Sequence, residues 1–163
     1  MKMILAIAND GAIGKTGGKN GLPWDISEDF KHFVVETKKK NEGDDRPNIL
    51  VMGPKTFNEI GKPLPGRETI ILSAKLTEKP HPDVEICKSP YDLMQLIAGR
   101  NVFVTGGKGI YLSLLLCATE IILTRVHADF PDADCFIDEQ ILLEHFVEQA
   151  DRAKTLREQT SEH

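Results

Sequence analysis

The sequence predicts an α/β protein built on a single, largely parallel β-sheet with both faces covered by helices. Two observations carry this. Short runs of Ile, Leu, Val and Phe recur along the chain without polar alternation, the pattern of strands buried on both faces. Between most of them lie helix signals, with a hydroxyl or glycine at the start, a proline just inside and a glycine past the end. Strands alternating with helices imply crossover connections and therefore parallel neighbours.

Taken in order, residues 3–8 read as the first buried strand, closed by Asn9-Asp10-Gly11. A glycine-rich loop follows and ends in Leu22-Pro23-Trp24. Ser27 is placed to cap the next helix, and Glu28 and Asp29 in its first turn suit the helix dipole. Phe30, Phe33 and Val34 share one face of it. Residues 38–47 are polar, charged and proline-ended, and read as an exposed loop. Residues 48–52 form a second buried strand. Gly53-Pro54 then opens a helix that Gly61 ends. Residues 69–72 and 84–87 are further strands. Ser89, Pro90 and Asp92 start another helix, and Gly99 stops it. Residues 101–105 form a strand that Gly106-Gly107-Lys108-Gly109 breaks, starting a helix through Leu116. Residues 120–126 are a sixth strand, and 144–148 suggest a seventh. Beyond it, residues 149–163 carry Ala150, Ala153 and Leu156 as their apolar positions and are expected to be frayed or weakly helical.

A chain of 163 residues is one domain by size. Its net charge of −5 argues against nucleic acid as the main partner. The Lys38-Lys39-Lys40 run is followed by Glu42, Asp44 and Asp45, and reads as a solvated linker. Cys87, Cys117 and Cys135 suit neither a disulfide framework nor a zinc site, so reduced thiols in the cytoplasm are expected. No metal site is expected. No run reaches the roughly 18 apolar residues of a membrane helix.

The candidate chemistry gathers in a few places. Asp29 sits between Phe30 and a mobile-looking loop, beside the single tryptophan, Trp24. Burying a carboxylate among aromatics penalises its charged form, which suits one acid beneath a lid. A surface acid beside core phenylalanines is the plainer reading. Gly106-Gly107-Lys108-Gly109 and Gly53-Pro54-Lys55-Thr56 both stand where a strand meets a helix, and Ser73 ends a neighbouring strand. Glycines let a backbone approach phosphate and a helix start offers its positive end, so a long anionic ligand across the carboxyl ends of the strands is suggested. Bare tight turns serve equally well. Lys15-Thr16 after Gly14 resembles the end of a P-loop, but Gly17, Gly18, Gly21 and Pro23 allow no helix there. In Pro63-Leu64-Pro65-Gly66-Arg67 two prolines fix the turn and present a guanidinium suited to a two-pronged grip on a carboxylate. The five histidines form no spaced cluster.

Together, Ile13-Gly14, Leu22-Pro23-Trp24, Asp29, Phe33, Met52-Gly53, Thr56, residues 63–67, Gly106-Gly107, Tyr111 and Thr124 resemble dihydrofolate reductase in order, spacing and context. The resemblance runs from Met1 to about Phe146. It implies that fold, with about four helices around the sheet, over a domain spanning residues 1–148 with a polar tail at 149–163. It implies a monomer that reduces 7,8-dihydrofolate to tetrahydrofolate with NADPH, for one-carbon metabolism and thymidylate synthesis.

Position by position, Asp29 would bind the pterin and support its protonation, with Leu22, Trp24 and Thr124 completing the catalytic group and Thr124 bonded to Asp29. Ile4, Leu5, Ala6, Phe30, Phe33, Ile60 and Leu64 would line the substrate pocket, and Arg67 would clamp the glutamate carboxylate. Residues 14–22 would be a lid over the nicotinamide. Ala6, Ile13, Gly14, Lys15, Gly53, Lys55, Thr56, Leu72, Ser73 and Lys88 would hold NADPH, together with Gly106, Gly107, Lys108, Gly109, Ile110, Tyr111 and on to Ser113. Gly106-Gly107 matches a pair that the family joins by a cis peptide.

The sequence departs from the family pattern at Pro54, where an arginine is usual, and at Lys108, where a third glycine is usual. The lid is long, a charged insertion follows the Asp29 helix, and the customary aromatic last strand is not visible after Phe146. Two alternatives keep the resemblance: a reductase of a riboflavin-pathway pyrimidine on the same fold, and a non-catalytic protein that binds folate or NADPH.

Overall fold

The computed structural model describes residues 1–149. Its centre is a six-stranded sheet of β1 (Lys2–Ala8), β3 (Asn48–Met52), β4 (Arg67–Leu72), β5 (Val84–Cys87), β6 (Val102–Val104) and β7 (Glu120–Val126), in the order β5-β4-β3-β6-β1-β7. Every pairing in it is parallel. β1 runs beside β7 over its whole length, from Lys2 opposite Glu120 to Ala8 opposite Val126. The uninterrupted apolar runs therefore do what they predict: β3 is buried at all five positions, between its two neighbours and beneath both faces.

A second, two-stranded antiparallel sheet pairs β2 (Ala12–Gly14) with β8 (Cys135–Phe136). Sequence reading gave no strand at either place. Among the described residues five α-helices accompany the sheets: α1 (Ser27–Lys38), α2 (Pro54–Ile60), α3 (Pro90–Leu96), α4 (Lys108–Leu114) and α5 (Glu139–Leu143).

The expected start and stop residues act largely as anticipated. Pro54 is the first residue of α2, and Gly61 ends it in the left-handed conformation at φ 87°. The Ser89 hydroxyl accepts the Asp92 amide at 3.1 Å, capping α3. Three expectations are corrected. Ile26, not Ser27, occupies the cap position of α1, and Ser27 is already helical. α4 ends at Leu114 and continues as a 3₁₀ turn from Leu115 to Cys117, instead of running evenly through Leu116. Residues 144–148 form a turn and irregular chain, not a seventh strand. The Asp138 carboxylate caps α5 by accepting the Gln140 amide at 2.9 Å, Leu142 is fully buried beneath it, and the Phe146 amide closes back onto the Leu143 carbonyl. The tail predicted beyond Glu148 lies, apart from Gln149, outside the described residues.

Burial divides into three clusters. One face of the sheet packs Met3, Leu5, Val51 and Val104 against Leu93 of α3, Tyr111 and Leu114 of α4, and Leu142 of α5. The other packs Ile4, Leu50, Met52 and Phe103 against Phe57 of α2, Leu64 and the inner side of Phe33. The third surrounds Trp24 with Ala8, Ala12, Val126 and Ala133. Fully burying side chains of this size contributes about 1.5–3 kcal/mol each. A rigid platform results, from whose carboxyl ends the loops project.

Candidate active site

A cavity of about 490 Å³ opens at the carboxyl ends of the central strands, where β1 lies between β6 and β7. Ile4, Leu5 and Ala6 form its floor. α1 supplies one wall with Asp29, Phe30, His32 and Phe33; the start of α2, with Gly53, Lys55 and Thr56, supplies another. The turn 106–111 and the loop from Ile13 to Leu22 complete it, with Ile60, Leu64 and Thr124 at its sides. Each of these groups except His32 was read from the sequence.

Asp29 is partly buried, and that burial raises its carboxyl above the ordinary carboxylate range. A hydrogen bond from Trp24 and the charge of His32 act in the opposite direction. Trp24 Nε1 donates to Asp29 Oδ2 at 3.1 Å. Trp24 itself is buried behind the acid, its ring 5.3 Å from that of Phe130, and does not line the cavity. Thr124 lines the cavity but does not make the expected bond to Asp29, whose side-chain donor is Trp24. β7 points the Thr124 position toward the cleft without closing that gap.

On the opposite wall Gly106 and Gly107 are joined by a cis peptide, as the family resemblance implies. The Gly106 carbonyl accepts the Gly53 amide at 2.8 Å, so the two phosphate-type turns are tied to each other. Gly106 has φ 109°, a conformation that favours glycine, and a Cβ there would crowd the Tyr111 ring at 3.2 Å. Tyr111 returns across the sheet to donate from its hydroxyl to the Ile4 carbonyl at 2.8 Å. Complete burial pushes its pKa far up, and it stays a neutral donor.

The loop over the cavity is held in a specific shape. The Lys15 amide donates to the Gly21 carbonyl at 2.8 Å, and the Gly18 amide to the Lys15 carbonyl at 3.0 Å. A Cβ on Gly18 would lie 2.1 Å from the Leu22 carbonyl oxygen, so this turn admits glycine alone. Two carboxylates grip the loop from outside: Asp134 accepts the Thr16 amide with both oxygens at 3.1 and 3.0 Å, and Glu59 accepts the Gly17 amide at 3.3 Å. The Thr16 bonds hold the Asp134 carboxyl below its ordinary pKa. Asp134, Cys135, Glu59 and Thr105 all line the cavity, and sequence reading passed over them. Glu59 stands one turn after Lys55 and Thr56 on the same helix, a spacing that could have found it. Asp134 and Cys135 lie more than a hundred positions from the loop they meet, and no local pattern announces them.

Six predicted binding residues stand away from the cavity lining, Leu112 and Ser113 of α4 among them. Leu72 is core. The Ser73 hydroxyl accepts the Lys75 and Leu76 amides at 3.3 and 3.2 Å. Lys88 is exposed between β5 and α3. Arg67 is buried, and its guanidinium donates twice to the Pro65 carbonyl and once to the Thr37 hydroxyl. That desolvation lowers its pKa.

One acid withdrawn from water on an apolar wall, faced by glycine turns at two helix starts, is the layout of an α/β enzyme that holds a nucleotide across the carboxyl ends of its strands. Comparison with known proteins narrows the class. The sequence profile of dihydrofolate reductase matches residues 1–162. The chain is 32% identical over 126 residues to dihydrofolate reductase type 9 of Escherichia coli, covering 71% of this chain and 67% of that one. It is 31% identical over 134 residues to the Bacillus subtilis dihydrofolate reductase, covering 80% and 71%. Among solved structures, the Enterococcus faecalis dihydrofolate reductase complexed with NADP(H) and RAB-propyl superposes with a TM-score of 0.71 at 28% identity, over 84% of this chain and 76% of that one. The chain belongs to the dihydrofolate reductase family. The riboflavin-pathway and non-catalytic alternatives lose their ground to this assignment.

Proposed function

We propose that the cavity carries hydride transfer from NADPH to 7,8-dihydrofolate, giving tetrahydrofolate, with Asp29 as the acid at the reacting pterin ring. The observation that carries this is Asp29 itself: a carboxyl with a raised pKa, tied to Trp24 and set on an apolar wall opposite the cis Gly106-Gly107 turn. NADPH supplies the hydride. The chain's own residues bind, orient and shield.

Asp29 holds the pterin by its ring nitrogen and exocyclic amino group, and its raised pKa keeps a proton within reach of the ring nitrogen beside the carbon that accepts hydride. Trp24 acts through Asp29, fixing one carboxylate oxygen. Leu22 and Thr124 border the reacting ring, and Ile4, Leu5, Ala6, Phe30, Phe33, Ile60 and Leu64 enclose it and the aminobenzoyl group. Arg67 takes the glutamate carboxylate. Ile13, Gly14 and Lys15, with the rest of the loop, exclude water. The 106–111 turn, Gly53 and Thr56 hold the cofactor's pyrophosphate side. Lys55, the first turn of α2 and the Ser73 hydroxyl, which keeps its own proton to donate, receive the 2′-phosphate; Leu72 and Lys88 flank the adenosine. The enzyme works as a monomer in the cytoplasm, through a domain spanning residues 1–148, and supplies one-carbon metabolism and thymidylate synthesis.

Loss of NADPH absorbance on adding dihydrofolate tests the reading, with Asp29→Asn as the discriminating variant. The expected result is turnover in the parent and a large loss in the variant at neutral pH. No turnover in the parent, or equal turnover in both, overturns it.

A further inference from the structure

Around the far end of α1, away from Asp29, lies a buried polar chain of Asn101, Asn48, Thr37 and Arg67. Asn48, the first residue of β3, donates both side-chain N–H groups, to the Thr37 carbonyl at 2.8 Å and the Lys39 carbonyl at 2.7 Å. Asn101, just before β6, donates to that same Lys39 carbonyl at 2.9 Å and to Asn48 Oδ1 at 3.0 Å. Two amides thus use all four of their N–H groups, and each orients the other. The carbonyls they hold belong to the end of α1, where helix geometry leaves acceptors without partners.

The chain continues to Arg67. The Thr37 hydroxyl donates to the Phe33 carbonyl at 2.8 Å and accepts Arg67 Nη1 at 2.8 Å. The other Arg67 bonds, from Nε at 3.2 Å and Nη2 at 2.9 Å, both end on the Pro65 carbonyl of its own turn. Thr37 is therefore the side chain that orients the guanidinium from outside that turn. Thr37 is 0% exposed, Asn48 2%, Arg67 7% and Asn101 8%, so a bond lost here is not replaced by water. A guanidinium has five N–H groups and three are used; one remains on each terminal nitrogen, the pair that a carboxylate takes end-on.

We infer that Asn101 and Asn48 are positioning residues for the substrate's carboxylate tail, acting through the end of α1 and Thr37 on Arg67. The inference rests on the reading of Arg67 as the tail's partner. A plain helix cap at this place predicts a loss of stability that is blind to substrate. A positioning chain predicts a loss confined to substrates that carry the tail.

The experiment compares KM and kcat for dihydrofolate and for a 7,8-dihydropterin with a methyl group in place of the aminobenzoylglutamate. In Asn101→Ala, KM for dihydrofolate rises about tenfold, as expected for the loss of a buried orienting hydrogen bond, while kcat and KM for the methyl pterin stay near the parent values. Thr37→Val gives the same split and Thr37→Ser restores the parent value; this pair carries the test if Asn101→Ala does not fold. Arg67→Lys is the control. If it raises KM for dihydrofolate alone while Asn101→Ala and Thr37→Val leave both substrates unchanged or weaken both equally, the positioning chain is overturned and the Arg67 reading stands. If Arg67→Lys weakens both substrates equally, the tail reading fails and the inference falls with it.

Discussion

The α1 side of the cavity and the α2–α4 side use different physics. On the α1 side the chemistry rests on few groups withdrawn from water: Asp29 against Trp24, and Arg67 fixed by Thr37 and Pro65. On the α2–α4 side the side chains are exposed lysines, Lys55 and Lys108, and the close contacts come from backbone at Gly53, Gly106 and Gly107. A low-dielectric wall makes each polar contact strong and each error costly. An exposed cationic wall recognises anions loosely and is screened by salt. Substrate recognition should therefore be specific and salt-tolerant, and cofactor choice graded and salt-sensitive.

The largest test of that contrast is Asp29→Asn. Turnover at pH 7 should fall by about 10²–10⁴-fold, the usual worth of a positioned general acid or base, and the deficit should shrink as pH falls and solvent supplies protons. Stability should move the other way. Burial raises the Asp29 pKa in the folded chain, so its contribution is fully present below the unfolded value and lost as pH rises through the folded one. The ligand-free variant should then melt above the parent at pH 7, with the gap closing in acid; a lower melting temperature at pH 7 would remove desolvation as the cause of the shift.

Next in size is Gly18→Ala, which strikes the loop that spans both walls. Its Cβ meets the Leu22 carbonyl at 2.1 Å, so the turn must open. Displacement by about 1 Å costs on the order of 10²-fold in rate. Steady-state turnover and the cofactor dissociation rate should both change, while a thermal melt of the ligand-free protein barely moves.

Arg67→Lys should weaken dihydrofolate by about ten- to a hundredfold, since an ammonium cannot reproduce the end-on fork. Repeating the measurement across a salt series sharpens the comparison, because a buried contact should keep its effect at high ionic strength. Lys55→Ala is the smallest. The preference for NADPH over NADH should drop by about tenfold, with NADH kinetics nearly unchanged, and the parent's preference should itself decline with salt. A preference that is insensitive to salt would place the 2′-phosphate contact in a drier setting than the start of α2.

What the sequence disclosed follows from how locally each signal is written. β3 was legible because an unbroken apolar run needs only its own residues to be recognised, and β7 because the Ile121-Ile122-Leu123 stretch does the same at its centre. β2 and β8 were not, being three and two residues long and paired across the length of the chain. The strand expected at 144–148 failed because capping by Asp138 and burial of Leu142 committed the preceding residues to α5. The same rule governs the site. Asp29, Gly106 and Gly107 declare themselves by their immediate neighbours, whereas Asp134 becomes part of the loop's support through folding alone. The bond expected between Thr124 and Asp29 depended on side-chain reach across two elements, which no spacing specifies.

The contact between Trp24 and Asp29 also equips this protein with an optical gauge. The chain has one tryptophan, so all indole emission comes from a single ring. That ring is shielded from water, tilted against Phe130, and bonded through its nitrogen to the ionisable oxygen of the site. Emission intensity and wavelength should follow the protonation of one carboxyl, and energy transfer from the same ring should register arrival of the nicotinamide. An acid titration read by fluorescence alone then yields the Asp29 pKa in the folded chain, with no label, no substituted reporter and no catalysis required.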